Sequence, residues 1–250
     1  MPVLNQRDSF EVALMSVFSQ GHSPIEIIVI DGGSVDGTID VIKKHSSRIV
    51  FWETGKDSGI CNAFNRGVLR ATGDVIAILN SDDWWEKDTL INILASINAS
   101  PDGDIYHGSI RYVEPANQYY YQRHPSISSL HRRMTVFHPT MFVKKSCYEM
   151  LGVYDEQYMC AMDSEWCHRA LMQEMKFCEV PAVLANMSLG GVSDQNYLCS
   201  LREYRDSVIK HGLAGKAEAY CYFYFYAIAK TVMRTRFMRP VKKIRDKLMY

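Results

Sequence analysis

No run of apolar residues in this chain is long enough to span a bilayer, and its first residues lack the charged, apolar and small-residue order of a secretory leader. A helical membrane span is thereby excluded. The seven cysteines, at 61, 147, 160, 167, 178, 199 and 221, form no C-x-x-C and no zinc-finger spacing, and their number is odd. That excludes a disulfide framework and points to a reducing cytoplasm. Neither sign of charge is in excess, since Lys and Arg number 28 and so do Asp and Glu. Without a basic field, nucleic acid is not an expected partner. Internal repeats and low-complexity segments are missing as well, which removes solenoids and disordered chains from consideration.

What is there reads as an ordinary globular chain of 250 residues, 47% hydrophobic and 22% charged, enough for one large domain or one domain with an appendage. Its charge is uneven: most acids precede residue 166, whereas Lys230 to Lys247 carries eight Lys and Arg against the single Asp246. The most informative stretch is Ala71 to Trp85, ATGDVIAILNSDDWW. Thr72-Gly73 signals a turn, and Asp74 to Leu79 is a β-branched apolar run suited to a strand buried on both faces. It ends at once in Asn80-Ser81-Asp82-Asp83. Adjacent carboxylates at the end of a buried strand raise each other's pKa unless a cation neutralises them. Hard oxygen ligands in such a place suit Mg²⁺ or Mn²⁺ carrying a substrate diphosphate. The plainer alternative is a polar turn in which Asp83 or a neighbour caps a helix over 87–99.

Taken in order, the chain alternates helix and strand through its first 85 residues. Ser9 to Gln20 has one apolar helical face ended by Gly21, and Glu26 to Ile30 is a buried strand running into Asp31-Gly32-Gly33-Ser34. Thr38 opens a helix to His45, Arg48 to Trp52 is a third strand, and Ile60 to Arg70 is helical. Alternation of this kind predicts a parallel sheet with helices on both faces. Beyond the acidic pair, Lys87 to Ala99 is predicted helical and Asp104 to Tyr121 to hold short antiparallel strands. Thr140 to Val143 reads as a strand, Lys145 to Leu151 and Asp163 to Met175 as helices, and Lys176 to Leu189 as a strand kinked or edged by Pro181. From Asp194 onward the pattern is helical.

Four acidic turns thus follow strands or open helices: Asp31, Asp57, Asp82-Asp83 and Asp163. Each has an ordinary alternative, Asp31 as a turn cap, Asp57 as a solvated loop acid and Asp163 as a helix N-cap. Trp84 and Trp85 read more readily as packing residues than as sugar platforms.

The segments EIIVIDGGSVDGTIDVI (26–42), KDSGICNAFNRGVLRATGDVIAILNSDDWW (56–85), FHPTMFVKKSCYEMLGVYDEQY (137–158), AMDSEWCHRAL (161–171) and LGGVS (189–193) together resemble the family 2 glycosyltransferases of GT-A fold, in the branch that builds bacterial surface polysaccharides. They follow one another in that family's order and spacing. The resemblance implies a Rossmann-like nucleotide-binding half and an inverting transfer from a nucleotide-diphosphate sugar, expected to be a UDP-sugar, to a glycan or lipid-linked acceptor. It places Pro2, Asn5, Asp31, Asp57, Asn65 and Asp82 at the donor nucleotide, with Asp82 and Asp83 as the DxD-type element holding Mn²⁺ or Mg²⁺. Asn80 stands where a leading Asp is commoner. Asp163 matches the catalytic base, although Met162 replaces the Glu often found before it. His138, Glu165 and Trp166 fall on the acceptor side, Glu165 replacing a usual Asp, and the GGVS loop aligns near the diphosphate. Asp163 at a helix N-terminus is expected to stay ionised, and Glu165, two residues on, to face elsewhere, which favours a single displacement. A nucleotidyltransferase and a non-catalytic sugar-nucleotide-binding or scaffold protein are the rival readings.

Two further expectations concern the ends. The catalytic domain is expected to cover residues 1–195, with a helical appendage over 196–250. There the aromatic Ala219 to Ala229 and the basic, apolar-interleaved Lys230 to Lys247 suit an anionic membrane surface, the cytoplasmic face of the inner membrane. The alternative packs those aromatics on the catalytic domain. Only Met1 to Arg7 precede the first helix, so the first strand is expected to be cut short, with more β-branched residues upstream in the natural product and poor solubility or weak activity without them.

Overall fold

The computed structural model describes residues 1–21, 24–113, 119–188 and 196–234. The β-branched run before Asp31 forms strand β2 (Ile28–Asp31), flanked in parallel by β1 (Pro2–Val3) and β3 (Phe51–Thr54). Helices α1 (Arg7–Phe18), α2 (Thr38–Lys44) and α3 (Ile60–Arg70) connect and follow these strands. Strand β1 is a two-residue stub joined only to β2, with the Met1 amino group donating to Ile28 O at 2.7 Å and Met1 O accepting from Ile30 N. The third strand begins three residues later than its apolar pattern predicts. Residues 46–48 are instead a 3₁₀ turn, pinned by Arg48, which donates to Phe18 O and lies 3.7 Å over the Phe18 ring.

The second sheet holds β4 (Val75–Ala77), β5 (Asp83–Trp85), β6 (Ile105–Val113), β7 (Tyr119–Arg123), β8 (Phe142–Lys144) and β9 (Phe177–Ser188). Its order is β4-β8-β6-β9-β5, with β7 on β6. Only β6 and β9 run parallel there, because the long connection between them carries α5 (Lys145–Leu151) and α6 (Met162–Met172), whereas the other pairings are antiparallel. The parallel arrangement predicted from the first 85 residues is therefore confined to β1-β2-β3. Strand β4 lies in the other sheet from β1, not beside it.

Residues 83–85 correct the sequence-based expectation of a turn leading straight into a helix. They form β5, pairing with β9 through Asp83–Met187, Trp84–Asn186 and Trp85–Ala185. The cause is Trp85: its backbone N–H donates to Ser16, its indole donates to Pro139 O at 3.0 Å, and its ring packs on Phe142. Packing is thus the role of Trp85, while Trp84 stays half-buried. Helix α4 (Thr89–Ala99) starts after Asp88, and Asp83 does not cap it.

Strand β9 carries Pro181 inside a bulge. The register steps from Gly108–Val180 to Ser109–Val183, leaving Pro181 and Ala182 outside the ladder, where a missing N–H costs nothing. Gly108 makes the bulge possible, since a Cβ there would lie 2.8 Å from Ala182 O and from the Leu184 side chain. This bulge sets which β9 residues meet β5. After it come α7 (Tyr197–Lys210) and α8 (Lys216–Arg234), joined by a hydrogen bond between the Tyr197 and Thr231 hydroxyls. Among the described residues no helix is long and apolar enough to cross a membrane.

Gly108→Ala is expected to lower the urea denaturation midpoint by the equivalent of about 1–3 kcal/mol, the usual cost of overpacking. An unchanged midpoint would show that β9 yields at no cost.

Candidate functional site

Three groups of polar side chains gather at strand ends and helix starts. In the first, Asp31 ends β2 with its carboxylate fully buried. Its Oδ2 accepts from Gly33 N at 3.1 Å, Ser34 N at 3.0 Å and the Thr54 hydroxyl, and its Oδ1 from the Ser34 hydroxyl. Asn5, at φ 49°, accepts from Val35 N and donates its backbone N–H to Ser34. Pro2, in β1, is buried beside them. Asp57 closes the group from the far side: its Oδ2 would lie 3.0 Å from a Cβ on Gly32, and its Oδ1 caps Gly59 N. Pro2, Asn5, Asp31 and Asp57 thus share one corner at the carboxyl ends of β1–β3. Asp31 spends its oxygens on the turn, as its plainer reading has it. Ser34 and Thr54, which hold it, had no signal in the sequence beyond their place beside the acid.

The second group is the acidic pair. Asp83 is buried, with Oδ1 accepting from Ser188 N at 3.3 Å and Oδ2 meeting no hydrogen-bond partner among the described residues. Asn80 Oδ1 is buried and unpartnered as well. Asp82 is half-buried, and its carbonyl accepts from the Ser188 hydroxyl at 2.7 Å. Burial pushes the Asp83 carboxyl well above the ordinary carboxylate range, and the charge on Asp82 pushes it further. Burial raises Asp82 too. Two orphaned buried oxygens next to a second carboxylate are the donor set a hard divalent ion takes, so these residues fit Mg²⁺ or Mn²⁺. The signal that could have found Ser188 is absent from the sequence, since only the β5–β9 register brings it there.

The third group surrounds Asp163. This residue stands in the first turn of α6, not at its cap: Ala161 occupies that position, and the Asp163 Oδ1 accepts from Ser164 N and Ser164 Oγ. The cap comes from α7. Glu203 Oε2 accepts from Cys160 N at 2.8 Å and Ala161 N at 2.9 Å, and its Oε1 accepts from Met159 N at 3.0 Å. From the sequence, the helix end is expected to keep Asp163 ionised, and its surroundings act in the opposite direction. Burial raises its pKa above the ordinary value, and the Glu203 charge adds to the rise. No hydrogen bond or ion pair among the described residues joins Asp163 to the Asp82–Asp83 pair.

Four sequence-derived assignments take other places. Asn65 faces the chain at 154–156: its amide donates to Tyr154 O and Glu156, and its oxygen accepts from Tyr154 N. Every polar atom of that side chain is engaged within the fold. Glu165 is buried and accepts from Arg169 Nε at 3.0 and 3.1 Å, with His211 at 3.0 Å, while Arg169 also ties Leu151 O and Val153 O. Trp166 is fully buried, donates to Gly152 O and packs against Tyr148 and Tyr154. Neither side chain reaches the surface, because residues two and three past Asp163 turn toward the core here. His138 stacks on Phe64 with its ring centroid 4.9 Å away, buried, with Nε2 unpartnered and its pKa lowered to about 4, mainly by burial. The GGVS loop lies outside the described residues.

Comparison with known proteins places these groups in context. Residues 1–162 match the family model described as Glycosyl transferase family 2. Over 167 residues the chain is 25% identical to a PGL/p-HBAD biosynthesis glycosyltransferase of Mycobacterium bovis (strain BCG / Pasteur 1173P2), which spans 65% of this chain and 64% of that protein. It is 37% identical over 94 residues to the putative teichuronic acid biosynthesis glycosyltransferase TuaG of Bacillus subtilis (strain 168), 36% of each. Among solved structures, S. aureus TarS 1-349 in complex with UDP-GlcNAc matches with a TM-score of 0.66 at 14% identity, over 94% of this chain and 72% of that one. Mannosyltransferase PcManGT from Pyrobaculum calidifontis, in complex with GDP-Man and Mn2+, matches with a TM-score of 0.64 at 16% identity, over 99% and 83%. At such identities the structural likeness speaks for the fold alone.

A carboxyl whose native pKa lies above its unfolded value binds its proton more tightly in the fold, so stability falls as pH rises through that window. Asp83 is such a group. In the absence of divalent ions at neutral pH, Asp83→Asn is therefore expected to melt higher than the parent, on the order of a few degrees. The gap should close as the pH is lowered toward the unfolded carboxylate range. A variant that melts lower at every pH would show that the fold compensates the Asp83 charge.

Proposed function

The chain belongs to glycosyl transferase family 2 and has a GT-A-type fold, and on that premise we propose that it moves a sugar from a nucleotide-diphosphate sugar to an acceptor hydroxyl with inversion. The donor is a UDP-sugar and the acceptor a glycan or lipid-linked saccharide of cell-surface polysaccharide synthesis. The observation that carries this reading is Asp83, a buried carboxylate at the start of β5 beside Asp82, with one oxygen that meets no partner among the described residues. Asp83 together with Asp163 argues against a non-catalytic sugar-nucleotide-binding or scaffold protein.

In this reading Pro2, Asn5, Asp31 and Asp57 form the nucleotide corner, and Asp82 and Asp83 hold Mn²⁺ or Mg²⁺ against the diphosphate. A divalent ion so held supplies charge neutralisation for the departing nucleoside diphosphate. Asp163 takes the proton of the acceptor hydroxyl as its oxygen bonds to the anomeric carbon and the bond from that carbon to the diphosphate oxygen breaks. Its raised pKa makes it a stronger base than an exposed aspartate, which suits that proton transfer. A double displacement would need a second carboxylate free to attack. Glu165 is bound to Arg169 and His211, so it supplies none.

The membrane side of the proposal rests on α8. Tyr220, Tyr224, Phe225, Ile228 and Val232 are exposed on one arc of that helix, and the sequence beyond it continues the basic run to Lys247. Residues 235–250 lie outside the described ones. An apolar stripe continued by cationic residues matches an anionic leaflet, where a lipid-linked acceptor is found.

Asp163→Asn is expected to keep donor affinity within a few-fold while sugar transfer drops by about 10²–10⁴. In the parent, activity should be lost as the pH falls through a value above the ordinary aspartate range, since the base must be deprotonated. Transfer at the parental rate in the variant would remove Asp163 from the chemistry. For the membrane, the full chain should sediment with anionic liposomes at low salt, and chains ending before Ala219 should not. Failure of the full chain to sediment would assign the α8 aromatics to protein packing.

A further inference from the structure

Cys199 and Glu203 are one helical turn apart on α7 and so share a face. Opposite them stands Cys160, in the segment that leads into α6. One ligand atom from each of the three side chains lies within 4.8 Å of the other two, and Cys199 Sγ is 3.5 Å from Glu203 Oε1. Sequence spacing concealed the group, because Cys160 and Cys199 are far apart in the chain.

We propose that Cys160, Cys199 and Glu203 form a binding site for a thiophilic divalent cation of the Zn²⁺ class, separate from the Asp82–Asp83 pair. Two sulfurs and one carboxylate oxygen select Zn²⁺ or Cd²⁺ over Mg²⁺ or Mn²⁺, whose preference is for oxygen alone. Tetrahedral zinc with sulfur and oxygen ligands sets those atoms about 3.5–3.8 Å apart. The Cys199–Glu203 spacing already meets that range, and the other separations, all within 4.8 Å, need close by at most about 1 Å. Side-chain rotation of a half-buried cysteine accomplishes this.

The carboxylate is oriented before any ion arrives. Its Oε2 is held by Cys160 N and Ala161 N and its Oε1 by Met159 N, so the segment carrying Cys160 is fixed to the helix carrying the other two ligands. The cation takes the place of the thiol proton that Cys199 directs at Oε1. Binding forms two metal–sulfur bonds and one metal–oxygen bond and releases the two thiol protons to solvent. Three protein ligands leave a fourth position for water. The site clamps α7 to the start of α6, three residues before Asp163.

The test uses the full-length chain, reduced and freed of metal, titrated with Cd²⁺ and followed by the ultraviolet sulfur-to-cadmium charge-transfer band, with Zn²⁺ competition. One equivalent of Cd²⁺ is expected to raise the band and the melting temperature. Cys160→Ser and Cys199→Ser should each weaken binding by at least about tenfold. Glu203→Gln should also weaken it, while Asp83→Asn and Cys221→Ser, outside the cluster, keep both band and affinity. Circular dichroism of Cys199→Ser, whose side chain is only half-buried, guards against loss by unfolding. Absence of the band in the parent, or its persistence in the Cys160→Ser/Cys199→Ser double variant, would overturn the proposal. So would a Cys160–Cys199 disulfide, seen as the loss of two hydrogens by intact mass under mild oxidant, in a chain that takes up no Cd²⁺ when reduced.

Discussion

The pairing of β5 with β9 is the contact on which the acidic site depends. It draws Asp83 out of water beside Asp82 and brings Ser188 N to one of its oxygens, the other meeting no hydrogen-bond partner among the described residues. A carboxylate in that position destabilises the fold at neutral pH, since its charged form is disfavoured both by burial and by its neighbour. Several other features hold it there. Trp85 anchors the strand through Ser16 and Pro139, and the bulge at Pro181, made possible by Gly108, sets the β9 register so that Ser188 arrives opposite the acids. Strain concentrated at a polar site and balanced by surrounding packing is the pattern expected of a binding centre rather than of a surface turn.

Helix α6 is fixed by a comparable division of labour. Its start is capped from another helix by Glu203, and its body is tied by Glu165 to Arg169 and His211 and by Trp166 to Gly152. The buried Glu165 network carries a charge that would be costly if one partner were lost. These contacts leave Asp163 as the carboxylate of the helix whose oxygens meet only the adjacent Ser164. Helix α7, expected within an appendage, thus caps the helix that carries Asp163, and the exposed aromatic arc lies on α8.

Much of this was legible in the chain itself. Helix α3 and helix α5 have the limits that periodicity assigns them, because both have a clear apolar face and clear stop signals. Pro181 was recognisable as a break in a strand, since a residue without an N–H cannot sit in a central ladder. The acidic, glycine-rich turns after apolar runs were recognisable as candidate ligand-facing loops, and the neighbouring acids Asp82 and Asp83 as a charge cost that calls for a cation. The roles of Asn65, Glu165, Trp166 and His138 were not. Each is decided by a partner far away in sequence, and a polar residue gives no local sign of whether its hydrogen bonds will go to a ligand or to the fold.

The sequence by itself therefore determined the alternation of elements and the acids available for chemistry, which follow from local periodicity and side-chain type, and the family, which its ordered motifs carry by resemblance. The tertiary structure decided that residues 83–85 are a strand, that Asp163 is half-buried with its pKa raised rather than capping its helix, and that Cys160, Cys199 and Glu203 meet. The physical reason is the same in each case. Desolvation and register depend on what packs from the far side, and in this chain the far side of every such residue is supplied by a segment at least 35 positions away.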